Sequence, residues 1–395
     1  MTSQEILLLI SAALLLICLP GTLTLALLTY AGSQPARSRP GGSPLRGRVA
    51  IIVPAHNEAQ KIMHTLANLT RLARQDGECD VVVVADNCTD NTARVARYAK
   101  AIVLERNEPS QHGKGYALDY AFRELADHGY VAYAVIDADT LADDNFLSSL
   151  RRHLGNGRAA MQARYTVLNG HATPRTRLAE IALAAFNILR PRARARLGLS
   201  AGILGNGFAL RHSTLQSLPY TAASVVEDLE YHLQLVNAGL RVVFADDTCV
   251  RGEMPTGAQG MRSQRTRWEG GRLRMAIEHS PALLAGILRG QWRLLEPLAD
   301  LLLPPLAFHV LLLLAAAALA SLSAPAWPLY LALGGLAVVA VHVFVAMHVA
   351  RLPATRLLVL GRLPAYLLWK LSMLTAICAG ATRQSPWVRT NRHGD

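Results

Sequence analysis

Between residues 49 and 136 the chain alternates short, unbroken apolar runs with segments of helical pattern. Residues 49–53, 80–85, 101–104 and 131–136 read as strands. Residues 58–74, 89–99 and 113–128 read as helices, the first with Asn57 as its N-cap. Strands that are apolar throughout are buried on both faces, as in a parallel sheet covered by helices. The expected fold class is α/β. In such sheets ligands bind beyond the carboxyl ends of the strands. Three polar motifs fall there: Pro54-Ala55-His56-Asn57-Glu58, Asp86-Asn87-Cys88-Thr89-Asp90 and Asp137-Ala138-Asp139.

The flanks have a different character. Residues 6–30 carry no charge and are long enough to cross a bilayer. They lack a basic leader and exceed a signal-peptide core, so retention is expected. Arg37, Arg39, Arg46 and Arg48 follow, which by the positive-inside rule puts the next domain in the cytoplasm. Residues 301–322 and 329–350 are also long enough to span, joined by an uncharged turn that should lie outside. Residues 363–381, with Lys370, either span or lie at the interface; Arg383, Arg389 and Arg392 favour the interface. The expected division is a transmembrane helix at 1–31, a linker at 32–48 and a catalytic domain at 49–270. An amphipathic interfacial region at 271–300, a membrane region of two or three helices at 301–382 and a basic tail at 383–395 follow. The net charge of +12 sits in arginines beside apolar segments, which suits anionic lipid and argues for no nucleic-acid partner. Arg190, Arg192, Arg194 and Arg196 read as lipid head-group contacts, and Arg262, Arg265, Arg272 and Arg274 as membrane-proximal charge. Five cysteines without C-x-x-C spacing read as reduced packing residues.

Asp137 and Asp139, two short carboxylates at a strand end, form an oxygen-rich pocket for a hard cation such as one holding a diphosphate. Glu58 can accept hydrogen bonds from a base or ribose, or simply favour a helix dipole. Asp86 lies where a ligand's polar edge would sit, while Thr89 or Asp90 can cap the next helix. In His112-Gly113-Lys114-Gly115, Lys114 offers a phosphate charge at a helix start, though the spacing is not that of a P-loop. Gly205-Asn206-Gly207 suits a tight turn near a substrate, or a plain hairpin. In Glu227-Asp228 a carboxylate can deprotonate an acceptor hydroxyl, or cap a helix. Gln264, Arg267 and Trp268 share one helical face that can grip a sugar, or anchor a basic helix at a membrane.

In this order the motifs resemble membrane-integrated family 2 glycosyltransferases: the cellulose, hyaluronan, chitin-oligosaccharide and poly-N-acetylglucosamine synthases. The resemblance rests on D, DxD, ED and QxxRW across residues 49–268 and on the flanking apolar segments. It implies a GT-A-type nucleotide-sugar-binding domain and inverting transfer from a UDP-sugar. It further implies Glu58 and Asp86 facing the uridine, Lys114 near the diphosphate, and Asp137 and Asp139 on Mg2+ or Mn2+, with Asp139 the direct ligand. Asp228 would be the general base. Gly205, Asn206, Gly207, Glu227, Gln264, Arg267 and Trp268 would line the acceptor and leaving-diphosphate side. Residues 387–392 resemble basic segments that close over the nucleotide. The acceptor would be a growing or lipid-linked glycan in exopolysaccharide synthesis at a bacterial inner membrane, with export partners or a homo-oligomer. Three readings follow: a processive synthase, a transferase adding one sugar to a polyprenyl-linked acceptor, and a non-catalytic assembly partner. The sequence departs from the family at Ala85-Asp86-Asn87-Cys88, where one carboxylate is missing, and at Val226, where Thr or Ser is usual.

Overall fold

The computed structural model describes residues 2–34 and 43–382. The tail motif at 387–392 and most of the linker lie outside them. The domain is built on one sheet of eight strands: β1 (Val49–Ala55), β2 (Cys79–Asp86), β3 (Ile102–Arg106), β4 (Ala132–Val135), β5 (Thr140–Ala142), β6 (Ala160–Val167), β7 (Phe208–Arg211) and β8 (Val242–Gly252). Their order is β3-β2-β1-β4-β7-β6-β8-β5. The four strands read from the sequence are parallel neighbours. Beyond β4 the sheet turns antiparallel at β7, and β5 closes antiparallel on β8. This is a GT-A-like fold with a mixed sheet.

Both faces of the parallel half are covered, as its apolar runs require. Alternate residues of β1 serve opposite cores: Val49, Ile51 and Val53 pack with Leu66 and Leu69, whereas Ala50 and Ile52 pack with Leu118 and Phe122. The helices expected at 89–99 and 113–128 are shorter, Thr92–Tyr98 and Lys114–Glu124, and the one expected at 58–74 differs most at its start. The first helix starts at Ile62, after Lys61, and not at Glu58. Asn57 is no N-cap: it has φ of 55°, and its Oδ1 accepts from the backbone N–H groups of Thr89 and Asp90 at 2.8 and 3.3 Å. The 54–58 loop is thereby tied to the loop after β2.

Two helices, Ser3–Ser33 and Trp327–Val349, are long and apolar enough to cross a membrane. Leu306–Ala320 packs with both, but the expected straight run from 301 is broken. Trp292–Leu302 meets Leu306–Ala320 at 72°. Pro304 and Pro305 sit at the break and donate no backbone N–H. Residues 363–381 also bend, by 48°, into two segments of nine residues each. They lie against the Ala258–Leu288 helix: a Cβ on Gly270 would come within 3.1 Å of the Ile377 carbonyl. That helix runs unbroken through residue 270, so the QxxRW motif and the basic stretch after it share one rod.

Candidate active site

The loops beyond the strand ends open onto one cavity of about 1580 Å³. Glu58, Asp86, Lys114, Asp137, Asp139, Gly205, Glu227, Asp228, Gln264, Arg267 and Trp268 all line it. Asn206 and Gly207 lie behind the wall and shape it. The sequence motifs, separated by as much as 210 residues, therefore meet in space.

Asn206 links two of them. Its buried side chain accepts from the Asp137 N–H at 3.2 Å and donates to Thr140 Oγ1 at 2.8 Å. Thr140 in turn donates to Asp139 Oδ1 at 3.2 Å. Gly205 and Gly207 have φ of 76° and 72°, a region that favours glycine. A Cβ on Gly205 would stand 3.1 Å from Asp228 Oδ2, so the turn lets the carboxylate pass close over it. Gln162, fully buried, braces the turn from below by donating to the Asn206 carbonyl at 2.8 Å and accepting from Leu204 N–H at 2.9 Å.

Lys114 bridges Asp137 and the Gly205 carbonyl. Burial alone would lower its pKa, but Asp137, Glu227 and Asp228 hold it above the usual value. Asp228 stands at the start of the Glu227–Asn237 helix. Burial pushes its carboxyl up, against the Leu229 N–H and Lys114. Burial, then Asp228 itself, pushes Glu227 up to about 7. Val226 fills the family's Thr/Ser position for a packing reason: a Cβ on Gly271 would stand 2.8 Å from it, so the QxxRW helix passes directly over this valine. The Gln264 Oε1 and Arg267 Nε atoms are buried without a hydrogen-bond partner among the described residues. They are free to receive a polar ligand.

At the end of β2 Asp86 is buried, and Arg106 donates to its Oδ1 at 2.7 Å. Burial pushes the Asp86 carboxyl up, and Arg106 only partly offsets it. His56 lies alongside, with Nδ1 2.8 Å from the Asp86 carbonyl, and its ring meets His112 edge-on at 6.5 Å. Arg106, His56 and His112 are not among the site residues that the sequence motifs predict. Arg106 carries no motif signal at the end of β3, although His56 and His112 lie inside motifs. Gly115 matters through close approach: a Cβ there would meet the Ala222 carbonyl at 2.1 Å. Gly115→Ala is expected to destabilise the fold by about 1–3 kcal/mol, the usual scale for overpacking, visible as a lower unfolding midpoint.

The arginines read as lipid contacts are different in kind. Arg192 pairs with Asp246 at 2.8 Å. Arg194 and Arg272 both pair with Asp300, Arg272 at 3.0 Å, and Arg194 also reaches Glu296 at 2.6 Å. These are internal contacts, two of them on the cavity wall.

A family profile described as "Glycosyltransferase like family 2" matches residues 46–271. The chain belongs to this glycosyltransferase family. Among curated relatives, this family 2 glycosyltransferase is 27% identical over 233 residues to "Probable glycosyltransferase YdaM" of Bacillus subtilis, covering 57% of this chain and 55% of that one. It is 29% identical to "Beta-monoglucosyldiacylglycerol synthase" of a Nostoc species, covering 56% and 48%. The chain thus spans about half the length of these relatives. A solved structure, "Mannosyltransferase PcManGT from Pyrobaculum calidifontis in complex with GDP-Man and Mn2+", superposes at a TM-score of 0.57 and 19% identity, covering 95% and 97% of the two chains. That likeness bears on the fold.

Proposed function

We propose that this glycosyltransferase moves one sugar, with inversion, from a UDP-sugar to a lipid acceptor at the cytoplasmic face of a bacterial inner membrane. One observation carries the choice of acceptor. The cavity that holds Asp137, Asp139 and Asp228 continues without a wall to Leu306, Val310, Val339, Val343 and Phe344 of the apolar helices. A soluble acceptor has no use for that lining, whereas a lipid tail buries against it. The relative named for monoglucosyldiacylglycerol synthesis supports this reading over a processive synthase. The non-catalytic alternative leaves the gathered carboxylates unexplained.

Asp137 and Asp139 suit a hard divalent cation. Both are oxygen donors at one strand end, and Asp137, not Asp139, makes the Lys114 ion pair. Among the described residues no third His, Cys, Asp or Glu joins them. Mg2+ is commonly held this way, by one or two carboxylates with substrate phosphates completing the shell. A bound Mg2+ or Mn2+ would neutralise charge on the donor diphosphate. Glu58, Asp86, His56 and His112 bind the nucleoside end. Asp228 takes the proton from the acceptor hydroxyl as its oxygen bonds to the anomeric carbon. The bond to the diphosphate breaks on the opposite face, and Lys114 and Arg267 receive the developing negative charge. Gln264 and Trp268 hold the sugar and acceptor.

Asp228 must be ionised to act, and its pKa and that of Glu227 are raised. Activity is therefore lost as pH falls through the pair's apparent pKa. kcat/KM should rise with pH at an apparent pKa above the ordinary carboxylate range, because burial raises both members of the pair. A wild-type profile rising at about 4, an ordinary carboxylate value, would contradict it. The function itself is tested with membranes, Mg2+ or Mn2+, and labelled UDP-sugars alongside GDP-mannose. One UDP-sugar should label an organic-extractable product. Labelling from GDP-mannose alone overturns the donor, and a water-soluble polymer overturns the acceptor.

A further inference from the structure

Arg190 is a buried cation that the transfer chemistry does not use. It is 6% exposed and lines the cavity. Its Nε is buried without a partner, and its guanidinium donates no hydrogen bond among the described residues. Asp300, on the same cavity wall, is already shared by Arg194 and Arg272. Three arginines thus face two carboxylates, Glu296 and Asp300, and one positive charge is left over. Burial first, then Arg272 and Arg194, pulls the Arg190 pKa down to about 10, against Asp300. An anion placed here would relieve both the burial and the like-charge repulsion.

The local fold presents this charge to the cavity. Residues Ala184–Leu189 form a π-helical turn directly before the Arg190–Arg196 helix. Such wide turns often mark functional positions. The turn sets Phe186 on the cavity wall, with the guanidinium groups of Arg190 and Arg272 at 5.0 and 5.6 Å from its ring. Arg190 and Arg194, four residues apart, share the inward face, whereas Arg192 pairs elsewhere with Asp246. Ala193 packs on Leu28 and Ala31, at the end of the apolar Ser3–Ser33 helix. Arg190 therefore stands where the polar part of the cavity gives way to the apolar part.

The cluster is also close to the proposed base. A Cβ on Gly202 would stand 3.5 Å from Arg194 Nη1, and one on Gly205 would stand 3.1 Å from Asp228 Oδ2. Two residues lie between those glycines, so their Cα atoms are at most about 11 Å apart. A single lipid head group is on this scale.

We propose that Arg190, assisted by Arg194 and Arg272, binds the phosphate of an anionic lipid whose head group extends toward Asp228 and whose tail lies along Val310, Val339 and Phe344. Arginine forks suit phosphate oxygens in a site that excludes water. The inference rests on the lipid-acceptor reading and narrows it from neutral to phosphate-bearing lipids.

Native mass spectrometry of the full chain in detergent tests it without sugar transfer. Dioleoyl phosphatidylglycerol, dioleoylglycerol and inorganic phosphate serve as probes. The wild type should retain the phosphatidylglycerol at least ~10-fold better than the dioleoylglycerol, the scale of one charge-assisted contact. Arg190→Gln should abolish that preference, and Arg192→Gln should keep it. Equal retention of the two lipids by the wild type overturns the proposal, and that comparison needs no variant. So does an unchanged preference in Arg190→Gln. Displacement of the lipid by equimolar inorganic phosphate also overturns it, since the site would then serve a free ion. Because no transfer is measured, a negative result leaves the glycosyltransfer reading intact, and loss of transfer in other variants leaves this result intact.

Discussion

Asp228→Asn should retain donor binding and lose at least ~100-fold in turnover, the usual contribution of a general base. The side chain keeps its size and its place over Gly205, where the gap to a Cβ is 3.1 Å. An amide cannot take the acceptor proton, so the loss should fall on kcat and not on KM for the donor. Glu227 is the neighbouring carboxylate. It heads the same helix but is buried, with its pKa raised to about 7. Glu227→Gln should therefore cost much less than Asp228→Asn. Donor binding followed by labelled nucleotide retention, together with single-turnover rates, separates the two effects. Near-normal turnover in Asp228→Asn would remove Asp228 from the mechanism.

The second large effect concerns the cation. Chelation of divalent metal should abolish transfer, and Mg2+ or Mn2+ should restore it. Asp139→Asn should lose roughly 100-fold or more and need more metal for half-maximal rate, because a metal ligand supplies several kcal/mol of charge stabilisation. Asparagine keeps the acceptor for Thr140, so the Asn206–Thr140–Asp139 chain of hydrogen bonds should survive. An unchanged unfolding midpoint would show that the loss is chemical. Asp137 should behave differently from Asp139, since Lys114 is its partner. Its replacement leaves the half-buried Lys114 ammonium without its carboxylate as well as removing a metal ligand. Full activity with chelator present would exclude the metal and both assignments.

The chemistry-bearing residues were legible for a simple reason. The continuous apolar runs at 49–53, 81–85 and 131–136 fit buried strands, and a motif follows each of them. Strand direction then carries the motifs to one edge, where the cavity lies. Helix periodicity did the same for Gln264, Arg267 and Trp268. What escaped has no local signature. Arg106 acts across the sheet on a residue 20 positions earlier, and nothing in its neighbours marks it. Asn57 looked like an N-cap, but its side chain is used by the loop after β2, and the helix begins five residues later. The arginines at 190–196 alternate in sequence as a strand or coil would, yet a π-helical turn leads them into a helix that buries Arg190 and Arg194. Composition had grouped all four as lipid contacts. The break at Pro304-Pro305 was readable, since tandem prolines interrupt any helix, but hydropathy alone ran through it.

The carboxylates and the apolar helices share one continuous cavity, and the proposed lipid acceptor follows from that continuity. Intact-mass analysis of lipids from membranes supplied with a UDP-sugar and Mn2+ tests it most directly, with Asp228→Asn as the paired control. The predicted result is a lipid species heavier by one sugar, present with the wild-type chain and absent with Asp228→Asn. A sugar product that never enters the lipid fraction, or an unchanged product with Asp228→Asn, would contradict the account.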